Sequence, residues 1–262
     1  MRTSNSAIQT FKACRRLYEL KYKYGLEPVQ TADALSRGIK YHELVEGLLV
    51  GQCKLDECDD PKIRAMATAF QKYVLPEIKA SATEEWFTYR TKSGHEIVGR
   101  IDGRTASHEI VEHKTTSSSV DGSYFEKLEF DEQIPTYMLA YGSNWIWYTV
   151  CQTPTIRQKK NEGDEEFFLR CLEWFDDDTE HKISVVKLYR DDEGLKKFAE
   201  EQDAIVSEME HCKLFYRNPG NCSKWGRMCE YASVCMSYDP DKEYIQFKRR
   251  ENRNEKTGET KV

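Results

Sequence analysis

The sequence predicts an α/β (α+β) chain with a central mixed sheet flanked by helices. Three observations lead there. The first 80 or so residues place apolar side chains at helical spacing. From residue 84 the pattern changes to short runs of strand-like alternation. Beyond residue 131, helical and strand patterns interleave and end in a long amphipathic stretch over 192–216.

Ser6 and Gln9 form a Ser-x-x-Gln capping box. It opens a helix with Ile8, Phe11, Cys14, Tyr18 and Tyr22 on its apolar face. A second helix is expected from about Thr31 to Val50, ending at Gly51, with Leu35, Ile39, His42, Val45 and Leu49 inward. Pro61 starts a third, striped by Ile63, Met66, Phe70, Tyr73 and Val74. Residues 84–90, 95–102 and 107–114 read as strands, with turns at Lys92-Ser93-Gly94 and near Gly103. A helix at 131–142 and strands near 145–152, 167–175 and 182–189 follow. The long helix at 192–216 turns Leu195, Phe198, Ile205, Val206 and Met209 inward, and Asn218-Pro219-Gly220 breaks it. A Cys-rich knot fills 222–235. The expected organisation is one domain over 1–238, comprising a helical part (1–80), a sheet core (84–190), the long helix and a Cys-rich segment (218–236). A charged, flexible tail is expected over 239–262.

Composition narrows the class. In 262 residues, 39 basic and 45 acidic side chains give a net charge of -6, which speaks against a general nucleic-acid coat. The charge is uneven, however: residues 1–24 carry a net +5, with Arg15 and Arg16 adjacent. The densest apolar stretch, Trp145 to Val150, falls far short of the ~18 residues that span a bilayer. No apolar segment follows Met1-Arg2, so a soluble, cytoplasmic protein without a signal peptide or membrane partner is expected. Nine cysteines, an odd number, argue against a disulfide framework and for metal ligands or plain thiols.

The chemistry concentrates at Gly99-Arg-Ile-Asp102 and Glu112-His113-Lys114. Asp102 ends one expected strand. Glu112 and Lys114, two apart on the next, leave the same face. Two carboxylates at one sheet edge repel unless a proton or a cation lies between them, and a hard divalent ion accepts such oxygens. The lysine can position a water or stabilise charge on a phosphate. His42, on a helix, can add an imidazole, and Gln133-x-x-x-Tyr137 puts an amide and a phenol on one helical face.

The ordered set Gly38-x-x-x-His42, Gly99-x-x-Asp102, Glu112-x-Lys114 and Gln133-x-x-x-Tyr137 resembles the PD-(D/E)XK nucleases, in particular their RecB-type branch. The resemblance implies a restriction-endonuclease-like core in which His42, Asp102, Glu112 and the backbone carbonyl of His113 hold Mg²⁺ or Mn²⁺. Lys114 would be the catalytic lysine, and Gln133 and Tyr137 would contact DNA or steady the site. Pro135 departs from a regular helix there, since proline fits only a first turn or a kink.

Cys222-x6-Cys229-x5-Cys235 leaves a fourth ligand to be found, and Cys14 in Cys14-Arg-Arg-Leu-Tyr18 is the candidate. This arrangement resembles the iron–sulfur nucleases, namely the AddB-type nuclease domains and the CRISPR-associated exonucleases. Their 4Fe–4S cluster takes one cysteine before the core and three after it. The resemblance implies that such a cluster joins the N- and C-terminal segments. Cys212 is the rival fourth ligand. A zinc site with four cysteines is the alternative, although no Cys-x-x-Cys is present. Cys53, Cys58, Cys151 and Cys171 read as ordinary thiols.

The expected function is a metal-dependent DNA exonuclease acting on single strands or DNA ends, in recombination, repair or end processing. Arg15 and Arg16 would bind phosphates. A helicase or recombination protein is an expected partner, because the chain has no Gly-x-x-x-x-Gly-Lys-Ser/Thr loop. The alternative is a catalytically silent module that grips DNA ends or a partner.

Overall fold

The structure is a computed structural model and describes residues 1–29, 33–78, 80–224, 226–237 and 246–250. The chain starts with strand β1 (Arg2–Ser4) and helix α1 (Asn5–Ala13). The cap is Ser4, two residues before the expected one, and its hydroxyl accepts from the Ala7 N–H at 3.3 Å. A break at Cys14 separates α1 from α2 (Arg15–Tyr18), which runs into a π-helical turn at Glu19–Lys23 and a short strand, β2 (Leu26–Pro28).

Helix α3 (Asp33–Leu49) carries His42. Its buried stripe is Tyr41, Val45 and Leu48, rotated from the expected one, and Ile39 is 50% exposed. The side chain of Leu35 lies outside the described residues. Helix α4 (Pro61–Tyr73) is capped by Asp60, which accepts from the Lys62 and Ile63 N–H groups, and Pro61 supplies the fixed φ of a first helical residue.

Strands β3 (Ala80–Arg90), β4 (Glu96–Thr105) and β5 (Ile110–Thr116) form an antiparallel run. Helices α5 (Gly122–Lys127) and α6 (Gln133–Tyr141) cross over to β6 (Trp145–Gln152), which is parallel to β5. Helix α7 (Asp164–Asp177) precedes β7 (Ile183–Tyr189), which is antiparallel to β6. The sheet order is β1-β4-β5-β6-β7, with β3 also on β4.

Residues 167–175 are therefore helical rather than a strand. Their aromatic content favours a strand, but Phe167, Phe168, Cys171 and Phe175 repeat at helical spacing and bury one face. Neighbouring residues of β5 point to opposite faces. Val111 enters a core with α3, α4 and α7, and Ile110 enters a core with α6, so both faces of the sheet are covered.

Helix α8 (Asp192–His211) packs Val206 and Met209 against Ile8 and Phe11 of α1. It stops five residues before the expected end. A two-residue hairpin, β8 (Ser223–Lys224) with β9 (Arg227–Met228), and helix α9 (Ala232–Ser237) build the Cys-rich segment. Within the expected tail, β10 (Phe247–Arg249) pairs antiparallel with β2, so that stretch is ordered. Residues 238–245 and 251–262 lie outside the described residues. Among the described residues, no helix is long and apolar enough to cross a membrane.

Candidate active site

The β4–β5 ladder holds only two residue pairs, Gly103 with Val111 and Arg104 with Ile110. The next pair in that register would be Asp102 with Glu112, and there the strands part. The His113 N–H, left without a strand partner on that side, is taken by Asp102 Oδ2 at 2.8 Å. In a strand the carbonyl of a residue points the same way as its N–H, so the His113 carbonyl faces the same gap. Helix α3 lies over it, with His42 Nδ1 3.4 Å from Asp102 Oδ1.

Glu112 is 1% exposed. One of its oxygens accepts from the Lys114 ammonium, and the other, Oε2, is buried with no hydrogen-bond partner. Lys114 Nζ also donates to Gln133 Oε1 at 2.8 Å. The Gln133 amide NH₂ donates in turn to the Tyr137 hydroxyl, which donates to the Arg100 carbonyl at 3.1 Å. Asp131 Oδ1 accepts from the Gln133 and Ile134 N–H groups at 2.8 and 3.0 Å and so fixes the start of α6. Pro135, third in that helix, sits in its first turn and needs no kink.

The two carboxylates are driven apart in acidity. Burial raises both. At Asp102 the His42 hydrogen bond and charge, with the His113 N–H, prevail and hold the carboxyl down to about 2. At Glu112 burial prevails over the Lys114 ammonium, the Asp102 charge adds to it, and the carboxyl is pushed up to about 8. The two carboxyls are thus pushed in opposite directions, Asp102 towards its charged form and Glu112 towards its neutral one. Burial also lowers His42, but Asp102 more than compensates and its pKa rises. His113 is wholly buried, which pushes it down to about 4. It is a neutral core histidine with Nδ1 2.7 Å from Thr149 Oγ1 and its ring against Phe70.

A buried carboxyl whose burial favours the neutral form, with an orphan oxygen, near an ionised carboxylate and an imidazole, is a donor set that suits a hard divalent cation. Such a cation would displace the proton and satisfy the orphan. Asp102, Glu112, His42 and the His113 carbonyl are donors of the right kind for that group. Among the described residues, the ligand atoms of His42, Asp102 and Glu112 do not all lie within 4.8 Å of one another, so a shared ion would draw them closer.

The structure therefore brings His42, Asp102, Glu112, Lys114 and Gln133 together. Of the two roles expected for Gln133 and Tyr137, contact with DNA or steadying the site, their hydrogen bonds serve the second. Tyr137 is 4% exposed and steadies Gln133 and β4 from within the core. Gln133 has both ends of its amide engaged internally. On the basic first segment, Arg15 pairs with Glu208 and lies over the Phe11 and Tyr216 rings, and Arg16 pairs with Glu19. Thr149 and Asp131 were missed. Asp131, two residues before Gln133, has the spacing of a helix-capping side chain and was legible, whereas nothing local marks Thr149.

Cys14, Cys222, Cys229 and Cys235 line one cavity of about 300 Å³, together with Leu17, Leu20 and Tyr231. Cys212 packs elsewhere, against the α1–α8 core. Among the described residues, no three of these sulfurs lie within 4.8 Å of one another. A single zinc ion, with ~2.3 Å bonds, would need them closer. The four thiols thus share a cavity without being gathered around one point. The ligand-type atoms that do gather within 4.8 Å belong to Asp178, Glu180 and His181, all exposed, and there His181 is already bonded to Asp178 at 2.7 Å.

A family model of the PD-(D/E)XK nuclease superfamily matches residues 2–98. That span includes Gly38 and His42 and ends before Asp102. A putative exonuclease from Eubacterium rectale aligns over 92% of this chain and 90% of its own, at 12% identity and a TM-score of 0.53. The two share a fold. An alkaline exonuclease from Laribacter hongkongensis aligns over 79% of this chain and 87% of its own, at 15% identity and a TM-score of 0.36. A phage-related exonuclease from Haemophilus somnus covers 73% and 94%, at 17% identity and a TM-score of 0.32. No curated protein matches the chain.

Proposed function

We propose that this chain is a metal-dependent DNA nuclease of the PD-(D/E)XK type and RecB-like branch, an exonuclease working on DNA ends or single strands. The observation that carries the reading is the parting of β4 and β5 at Asp102 and Glu112, with the orphan Glu112 Oε2 in the gap and Lys114 beside it. The superfamily match to residues 2–98 and the fold shared with a putative exonuclease support it.

Asp102, Glu112, His42 and the His113 carbonyl would hold Mg²⁺ or Mn²⁺. The ion supplies Lewis acidity and a bound water of lowered pKa. Lys114, tethered by Glu112 and Gln133, presents its ammonium to a phosphoryl oxygen and balances charge that develops during attack. Asp102 stays ionised throughout the neutral range, and His42 keeps it oriented. The four cavity cysteines would hold a 4Fe–4S cluster that ties the α1–α2 junction to the Cys-rich segment.

The test is digestion of end-labelled single- and double-stranded DNA by anaerobically purified protein, with Mg²⁺ or Mn²⁺ and with EDTA. The expected result is metal-dependent release of nucleotides that Glu112→Gln loses. DNA binding without cleavage by the wild type would overturn the reading in favour of an end-binding module.

A further inference from the structure

Trp86 on β3 is 65% exposed. Its register partner is Arg100, and directly opposed residues of an antiparallel pair share a face. Arg100 stands two residues before Asp102 on β4, so strand alternation puts Asp102 on that face as well. Contacts make the same link. The Arg100 guanidinium carbon lies 5.9 Å from the Trp86 ring centroid and pairs with Glu84. The Glu84 carboxyl is raised by burial and, against the pull of Arg100, by the charges of Asp102 and Glu46.

A strand rise of about 3.3 Å per residue separates Arg100 from Asp102 by about 7 Å. That is two base steps at ~3.4 Å. The Tyr137 hydroxyl anchors the Arg100 carbonyl, which fixes the strand under the indole.

Phe130 is more exposed, at 87%, and stands near Gln133. Its sequence neighbours are Asp131 and Glu132, which repel a phosphate backbone. Trp86, by contrast, has the Arg100 guanidinium carbon 5.9 Å from its ring centroid.

We propose that Trp86 is a stacking platform for an unpaired base of the strand being cut, with Arg100 meeting the adjoining phosphate. This rests on the nuclease reading above and adds a preference for single strands or frayed ends, because a paired base keeps its faces inside the duplex. Every base offers a π-face, so the platform is indifferent to sequence. The Arg100 side chain is 51% exposed against 20% for Glu84, so the guanidinium can turn free donors to a phosphate while its pair with Glu84 holds.

The test compares wild type, Trp86→Phe and Trp86→Ala on an end-labelled oligothymidylate with Mn²⁺. A substrate set with one abasic position moved along the strand completes the cycle. The expected result is a KM raised ~10-fold in Trp86→Ala with kcat kept, the size of one lost stack, and near-normal behaviour in Trp86→Phe. One abasic position should cost the wild type the same factor and Trp86→Ala nothing more. An unchanged KM in Trp86→Ala, or two effects that multiply, overturns the proposal. Anisotropy of the labelled oligonucleotides without metal repeats the cycle independently of cleavage. Coupling there with no cutting by the wild type would sink the nuclease reading and keep the platform. Normal cutting without coupling would do the reverse, and no binding at all would sink both.

Discussion

The carboxylate site and the cysteine cavity hold their ligands in opposite ways. Around Asp102 and Glu112, every charge but one oxygen has a partner, and those partners come from α3, β4, β5 and α6. The cavity is walled by leucines and thiols drawn from the two ends of the described chain. At Cys229 burial, with the other three sulfurs adding to it, keeps the thiol protonated. Without a cation, the first would repair itself with a proton, because burial disfavours a charged Glu112. Without the proposed cluster, the second would have only its apolar walls and thiols. The first is a site the sheet supports, whereas the second is a site that would support the structure around it.

The largest effect that can break this comparison is catalytic. Asp102→Asn, Glu112→Gln and Lys114→Ala should each lower DNA cleavage on the order of 10²–10³-fold or more, while the visible absorption expected of the proposed cluster should be kept. Lys114→Ala should keep DNA affinity. Single-turnover digestion beside absorption spectra checks both, and normal digestion by Glu112→Gln would end the assignment. In the cavity, Cys229→Ala or Cys14→Ala should remove iron and lower unfolding free energy by more than about 3 kcal/mol, whereas Cys212→Ala should keep the iron. Stoichiometric zinc in anaerobic protein would refute the cluster.

A backbone contrast is next in size. A Cβ on Gly99 would meet the Phe87 ring at 2.6 Å, so Gly99→Ala should cost about 1–3 kcal/mol in denaturant unfolding. A Cβ on Gly38 meets only Thr115 Oγ1 at 3.8 Å, and Gly38→Ala should fold as well as wild type.

The pH dependence of the metal-free protein sharpens the point about repair. The Glu112 pKa is raised on folding from 4.5 to about 8. Its ionisation therefore opposes the folded state. No penalty exists below about 4.5, and stability falls as pH rises towards about 8. In EDTA, urea unfolding across that window should show wild type losing stability, by at most about 1.4 kcal/mol per pH unit, that Glu112→Gln retains. A saturating divalent ion should abolish the difference. The smallest effect belongs to Arg15 and Arg16. With Glu208 and Glu19 beside them, neutralising both should change the salt slope of DNA binding by less than the ~0.7–0.9 of one phosphate contact.

How much of this the sequence carried depends on how far apart the partners are. Gly99, Asp102, Glu112 and Lys114 lie on strands whose alternation is local, β6 was legible end to end, and α4 was legible from its Pro61 start. Helix α7 was misread because its aromatics favour strands, although the spacing of Phe168, Cys171 and Phe175 pointed the other way. The pairing of Arg15 with Glu208, 193 residues along, has no local trace. Burial of Tyr137 is also a tertiary matter, set by Phe87 across the sheet. The order of β10 within a charged tail depends on β2 in the same way.

The His113 amide offers a probe of its own. A neighbouring strand would ordinarily shield such a proton, and its exchange with solvent would report only global opening. Here its shield is the Asp102 carboxylate. The exchange rate of one backbone proton thus becomes a label-free gauge of whether that carboxylate is ionised, rotated or withdrawn, readable by NMR in protein that performs no chemistry.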